Sequence, residues 1–450
     1  MSDITTRNPS LVASTGNTYC CSIAEARLRE QEKTQDGDVS VGSTVTEGIE
    51  DIETDYFKSA QWTADGTTLL TSSADNTVRT FILPPTLLDD PTSPIDLAPY
   101  TSHVLPTPIA CLSPYPHFSL SDTSTTLYLS APSSLPIRLQ NVLTPTPGGI
   151  PVASYNFISP TTEAYYPISS LLWSSAGTHF MVGTDCLIGC FDVSRSGEGP
   201  MTSLPTIPSK RHKMKGGGVG MRGIISALSL QPSTNVDGML AAGTWTRWVS
   251  LYDAGGMGGT VASWSIADAA DKDSGIGGLG VTQTAWSSCG KYLCVAERMS
   301  RGVMVYDIRV AGKMVCWLEG REAMTNQRLG IDLFEGGEET GLEIWAGGTD
   351  GVVRVWEGVG RSEGAKRPSW KWRAHDDPVS SATVHSSGSV VATSSGQRIP
   401  LDYEDSESES ESSESDSEST NGSTRTSSAA SSQGSYAKKS PDNSIKVWCL

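Results

Sequence analysis

No apolar run in this sequence approaches the roughly 20 residues needed to cross a bilayer. The first ten residues, MSDITTRNPS, supply neither a basic n-region nor an apolar h-region. A soluble chain of the cytosol or nucleus is therefore expected. The nine cysteines are odd in number, form no CxxC pair and fall mostly inside candidate strands. That pattern argues against a disulfide framework or a zinc site and for a reducing compartment. Six histidines, His103, His117, His179, His212, His375 and His385, are scattered without an HExxH or other ligand spacing. GGMGG and GIGGLG open no helix of a βαβ unit, so a phosphate cradle is not expected. With no nucleophile beside a base and no paired carboxylates, the sequence is read as non-enzymatic, with no cofactor, no metal and no small-molecule substrate.

What it does have is repetition. Asp55 to Leu83 contains three short apolar runs, Tyr56 to Trp62, Leu69 to Ser73 and Val78 to Leu83. Asp65-Gly66 and Asp75-Asn76 divide them, and such dipeptides make turns because Asp and Asn bond their own backbone and Gly accepts positive φ. The same internal order returns near Pro108 to Gln140, Ser170 to Val193, Gly223 to Asp253, Val281 to Asp307, Leu329 to Glu357 and Pro378 to Leu450. Seven units at a spacing of roughly 45 to 60 residues predict an all-β, seven-bladed WD40-type β-propeller. The pairs Phe191-Asp192, Tyr252-Asp253, Tyr306-Asp307 and Trp356-Glu357 stand where that repeat carries Trp-Asp, and their rings are expected to pack between blades.

Residues 51–450 are assigned to the propeller and 1–50 to a polar N-terminal segment. The chain ends at NSIKVWCL, a third-strand position, so the outermost strand of the last blade must come from the N-terminus. NTYCCSI, within Leu11 to Ile23, is one run able to form it, and Ala24 to Glu32 is long enough for a helical turn or two. Pro84 to Pro108 and Thr144 to Pro151 are proline-rich and are expected to be surface connections. Within the last unit, the stretch 402–439 is almost devoid of apolar residues and is expected to be disordered. Of the formal charge of −17, nine units lie between Asp402 and Glu418, leaving −8 elsewhere, so a local basic surface is compatible with the acidic total. Ser406, Ser408, Ser410, Ser412, Ser413, Ser415 and Ser417 lie among those carboxylates and are candidates for an acid-directed kinase. The plainer reading of the run is a solvated loop.

Binding must then come from loops. The 194–219 loop is longer than a hairpin needs and ends in a basic cluster, Lys210, Arg211, Lys213 and Lys215, with Arg222 beyond it; these are candidates to grip phosphates. In Trp245-Thr246-Arg247-Trp248 an Arg between two indoles suits stacking on a base or pairing with phosphate. Asn326, Gln327 and Arg328 gather donors ahead of a first strand, and Gln397 and Arg398 end a second strand in the same manner. Against each stands the alternative of a loop-bracing hydrogen bond. His375, in RAHDDPV, is expected to hold structure rather than ligand.

FKSAQWTADGTTLLTSSADNTVR, GIISALSL after a basic loop, TNQRLGIDL, and ATSSGQR followed by an acidic insert together resemble the WD-repeat telomerase Cajal body protein family and its fungal relatives, over about 52–450. NVLTPTP departs from that pattern where blade two should end in Trp-Asp. The resemblance implies binding to the CAB-box element of small Cajal-body RNAs and telomerase RNA, with nuclear localisation and ribonucleoprotein assembly. For fungal relatives it also implies an association with pre-mRNA splicing. Two functions are carried forward. One is a monomeric nuclear scaffold binding small nuclear or Cajal-body-type RNA and its RNP proteins, telomerase RNA included. The other is a protein-interaction scaffold, such as a splicing or ubiquitin-ligase adaptor, with no RNA contact.

Overall fold

Among the described residues, seven antiparallel β-sheets succeed one another around a common axis, four of them with four strands and three with a fifth strand added at the edge. The structure is a computed structural model that describes residues 5–16, 19, 56–89, 93–144, 150–208, 220–233, 238–310, 312–397 and 441–450. Ala24 to Glu32, the cluster at Lys210, Arg211, Lys213 and Lys215, Arg398 and the seven serines of the acidic run lie outside these residues.

The first blade shows how local chemistry draws the sheet. Phe57–Trp62, Thr68–Ser73 and Thr77–Ile82 are joined by the two turns that the sequence marks, and Thr101–Val104 completes the sheet. Asp65 accepts hydrogen bonds from the Thr67 backbone N–H at 3.2 Å and from the Thr63 hydroxyl at 2.7 Å, closing the first turn. Gly66 has φ 70°, and a Cβ there would run into the His385 ring of blade seven. Asn76, at φ 63°, fills the left-handed position of the second turn. Every residue of Thr68–Ser73 is buried, because a propeller blade has a neighbour on both faces.

The other blades begin with Ile109–Pro114, Ser170–Trp173, Ile225–Leu230, Val281–Trp286, Ile331–Glu335 and Val379–Val384. These seven first strands line a central channel of about 690 Å³. Seven apolar clusters alternate with the seven sheets, one at each junction between neighbours. Phe191, Tyr252, Tyr306 and Trp356, the repeat-ending aromatics, are at most 1% exposed and lie in these junctions.

Ring closure uses Ser10–Ser14, antiparallel to Ile445–Cys449 with Leu11 opposite Trp448 and Ala13 opposite Val447. The strand lies ahead of NTYCCSI rather than in it. A register shift between Leu11 and Ala13 lets Val12 and Ala13 both reach 0% exposure in the core joining blades seven and one. Of NTYCCSI only Tyr19 is among the described residues, its ring centroid 5.4 Å from that of Phe57.

The proline-rich 84–108 stretch does more than connect. It supplies Thr101–Val104 and also Ile95–Asp96, a parallel fifth strand on the edge of blade seven. Thr5–Thr6 covers blade six and Gly364–Lys366 covers blade five in the same way. Edge strands tolerate flanking proline because one row of their N–H groups has no ladder to serve.

Candidate functional site at the channel mouth

Because the strands of each blade alternate in direction, every loop leading into a first strand lies on the same face as every hairpin between second and third strands. All the candidate segments are of these two kinds. Residues 220–224 before Ile225–Leu230, the turn Trp245 to Arg247, the loop before Ile331–Glu335 and Gly396-Gln397 after Val390–Ser395 therefore lie on one face. Of these segments, the loop before Ile331–Glu335 reaches the channel, which Asn326, Gln327 and Arg328 help to line.

The basic loop leaves the propeller through a narrow neck. The Met221 N–H donates to the Thr206 carbonyl at 2.8 Å, and the Thr206 hydroxyl donates to the Met221 carbonyl at 2.6 Å. Arg222 follows, exposed, with its carbonyl held by the Thr246 hydroxyl of the neighbouring hairpin.

Trp245-Thr246-Arg247-Trp248 is pulled three ways. Trp245 remains 42% exposed, and the Arg298 guanidinium lies 4.8 Å from its ring centroid. Arg247 turns inward from a left-handed backbone, φ 64°, and is held by two carboxylates. Its Nε and Nη2 donate to Glu297 at 2.9 and 3.0 Å, and Nη1 and Nη2 donate to Asp271 at 2.7 and 2.9 Å. Both forks are bidentate, and they hold its pKa above the ordinary arginine value despite the burial that opposes it. Trp248 packs against the core between blades three and four. The triad of Arg between two indoles is thus not assembled; one indole faces outward, and its cation is Arg298, from a different hairpin.

The donors before blade six divide similarly. Gln327 Nε2 donates to the Gly396 carbonyl at 2.9 Å, tying this loop to the start of the insertion. Arg328 Nη2 donates to the Ser226 carbonyl of blade four at 3.0 Å. Arg328 also lies by Cys111 of blade two, a thiol that burial pushes up to about 11 against the pull of the guanidinium. Arg328 therefore reaches from blade six toward the far wall while remaining exposed. Gln397 Nε2 donates to Asp377 Oδ1 at 3.3 Å, and Asp377 Oδ2 accepts from the Asp442 N–H at 2.6 Å. One carboxylate thus fastens both ends of the acidic insertion, and Gln397 braces a loop.

His375 is 2% exposed and central to a polar latch behind that neck. Its Nε2 is 2.7 Å from the Thr393 hydroxyl, which also accepts from Trp448 Nε1 at 2.9 Å. Its Nδ1 is 3.4 Å from Asp442, and Lys446 Nζ donates to Asp442 at 3.0 Å. Burial lowers the His375 pKa, whereas hydrogen bonds led by that of His375, together with its charge, hold Asp442 well below the carboxylate range in spite of burial.

Arg298 and the pair Asp271 and Glu297 are the residues that sequence reasoning passed over. Glu297 ends the strand Tyr292–Glu297, Arg298 is in the turn after it, and Asp271 is in the short helix Ala269–Asp273. Only the adjacency of blades four and five reveals their roles.

A family model described as WD domain, G-beta repeat matches residues 53–81, the first blade's opening strands. Guanine nucleotide-binding protein negative regulator 1 of Schizosaccharomyces pombe is 27% identical over 299 residues, covering 66% of this chain and 70% of that protein. Telomerase Cajal body protein 1 of Bos taurus is 27% identical over 362 residues, covering 79% of this chain and 61% of the relative. The Homo sapiens protein of that name is 26% identical over 349 residues, covering 76% and 57%. The chain therefore spans about three-fifths of the length of these animal relatives. Repeat order, seven closed sheets and these similarities together make the chain a seven-bladed WD40 propeller homologous to Telomerase Cajal body protein 1 and to the fission-yeast regulator.

Proposed function

We propose that this chain is a non-enzymatic nuclear scaffold that binds small nuclear or small Cajal-body-type RNA on the channel-mouth face and assembles it with RNP proteins, telomerase RNA being one client of that class. The observation that carries the reading is Trp245, an indole left 42% exposed with Arg298 stacked over it. An aromatic face beside a guanidinium accepts an unpaired base without regard to its identity. Arg222 and Arg328, on the same face, supply charge for phosphates, and Asn326 supplies amide groups at the channel lining. The sequence adds Lys210, Arg211, Lys213 and Lys215 beyond the Thr206 to Met221 neck. Arg247, with both edges of its guanidinium on carboxylates, is left out of the site. The name of the animal relatives, which places them with telomerase and the Cajal body, supports the client class and the nuclear location.

A second reading has its own support in the printed name of the fission-yeast relative, which describes a regulator of a guanine nucleotide-binding protein. In it the same face grips a protein and no RNA. RNA crosslinking and sequencing on protein recovered from its own nuclei separates the two, with Trp245→Ala and a fourfold Ala change at Lys210, Arg211, Lys213 and Lys215 alongside. Enrichment of small nuclear or Cajal-body-type RNA that both variants lose supports the first reading. Wild-type protein at background leaves the second.

A further inference from the structure

Among the described residues, the buried arginines are neutralised locally, with one exception. Arg79 is paired with Asp75 and Arg354 with Asp350, in each case across a hairpin four residues long. Arg321, on the outermost strand Met314–Ala323 of blade five, is 1% exposed and, among the described residues, has no ion pair. Its Nη2 donates to the Leu329 carbonyl at 2.7 Å, while Nε and Nη1 have no hydrogen-bond partner among the described residues. Glu322 beside it is exposed, and Asp332 spends its oxygens on the backbone N–H groups of Val384 and Leu333 at 2.7 and 2.9 Å. Burial pushes Arg321 down to about 10, which leaves it charged at neutral pH.

An uncompensated buried charge is a standing cost to the free protein. Its place suggests where the cost is recovered. Leu329 stands between Arg328 and Gly330, both of which line the channel, and Asn326 and Gln327 just before it line the channel too. The guanidinium thus lies directly behind the loop that forms one side of the mouth, in protein interior where its field is weakly screened. We infer that Arg321 is a positioning charge that makes the channel mouth select a phosphate-bearing ligand, with Asn326 and Arg328 making the contacts and Arg321 holding the loop from behind. Its application to RNA rests on the function proposed above; the selection of phosphate does not.

The test compares wild-type protein with Arg321→Met, Arg321→Gln and Arg321→Lys. Inorganic tripolyphosphate should raise the Tm of the wild type and of Arg321→Lys and leave the Tm of the two neutral variants unmoved. Short single-stranded RNA should bind the neutral variants roughly tenfold more weakly, with a shallower salt dependence. Without ligand, Arg321→Met should melt at or above the wild-type temperature, since an apolar chain replaces an unpaired charge. Should Arg321→Met not fold, Arg321→Gln carries the neutral arm. Equal stabilisation of wild-type and neutral proteins by tripolyphosphate, or none of any of them, overturns the inference. Stabilisation that depends on Arg321 without RNA binding leaves the inference standing and sinks the RNA reading.

Discussion

Two polar clusters on the channel-mouth face use the same side chains to opposite ends. Behind the neck of the insertion in blade seven, His375, Thr393, Asp442, Lys446 and Trp448 close on one another, with His375 and Asp442 almost out of reach of water. Across the junction of blades four and five, Arg247 is closed in the same manner by Asp271 and Glu297, but Trp245 remains open, with Arg298, whose Nε donates to the Leu279 carbonyl at 3.1 Å, against its ring. The difference lies in whether a polar group has spent its hydrogen bonds within the chain. A spent group supports the fold, and an open one is available to a ligand.

Breaking the closed cluster should have the largest effect. Asp442→Ala strands buried His375 and Lys446 and should cost about 3–5 kcal/mol in urea unfolding. The same cluster should make the wild type acid-sensitive. Asp442 has its native pKa below the unfolded value, so its contribution is present above about pH 4 and is lost as pH falls further. His375 also has its native pKa lowered, so the unfolded chain takes up the proton first, and stability should begin to fall as pH drops through about 6.5. Urea midpoints followed from pH 7 to 4 check the sign; a flat profile over that range would contradict it.

Arg247→Ala sharpens the comparison from the other cluster. It leaves the carboxylate of Glu297 buried and unpaired and should cost about 2 kcal/mol, less than a fully buried pair because Asp271 is half exposed. The protein that remains folded should bind RNA with unchanged affinity; a selective loss would show that Arg247 leaves its carboxylates for phosphate. Trp245→Ala should show the reverse. Its stability should stay within about 0.5 kcal/mol of wild type, and RNA affinity should fall by about 1–3 kcal/mol. Calorimetry for the first quantity and anisotropy titration for the second would distinguish a stacking platform from a packed indole.

Residues 245–248 show why the fold was more legible than the site. Turns are local: Asp65-Gly66 and Asp75-Asn76 specify their backbone from within, and seven such units announce a propeller without any knowledge of contacts. A binding side chain is defined by what it has not already bonded, and those partners come from elsewhere in the chain. Arg247 was nominated for phosphate because of its two indole neighbours in sequence, yet its partners are 24 and 50 residues away. Gln397 was nominated as an open donor, and Asp377 takes it. Arg298 and Arg321 carry no motif that marks them in the sequence.

The sequence by itself determined the number of blades, the strand order, the turns, the packing of the repeat-ending aromatics and the need for an N-terminal strand to close the ring. Each of these follows from hydrophobic period, turn chemistry and the requirement that a sheet edge be covered. Only the tertiary structure decided that Ser10–Ser14 is that strand, that the described ends of the candidate loops share one face, that Arg247 is spent while Trp245 is open, and that Arg321 is buried without a counter-ion among the described residues. The physical reason is that burial and hydrogen-bond satisfaction belong to pairs of residues distant in the chain, and a ring of seven blades brings such pairs together at every junction.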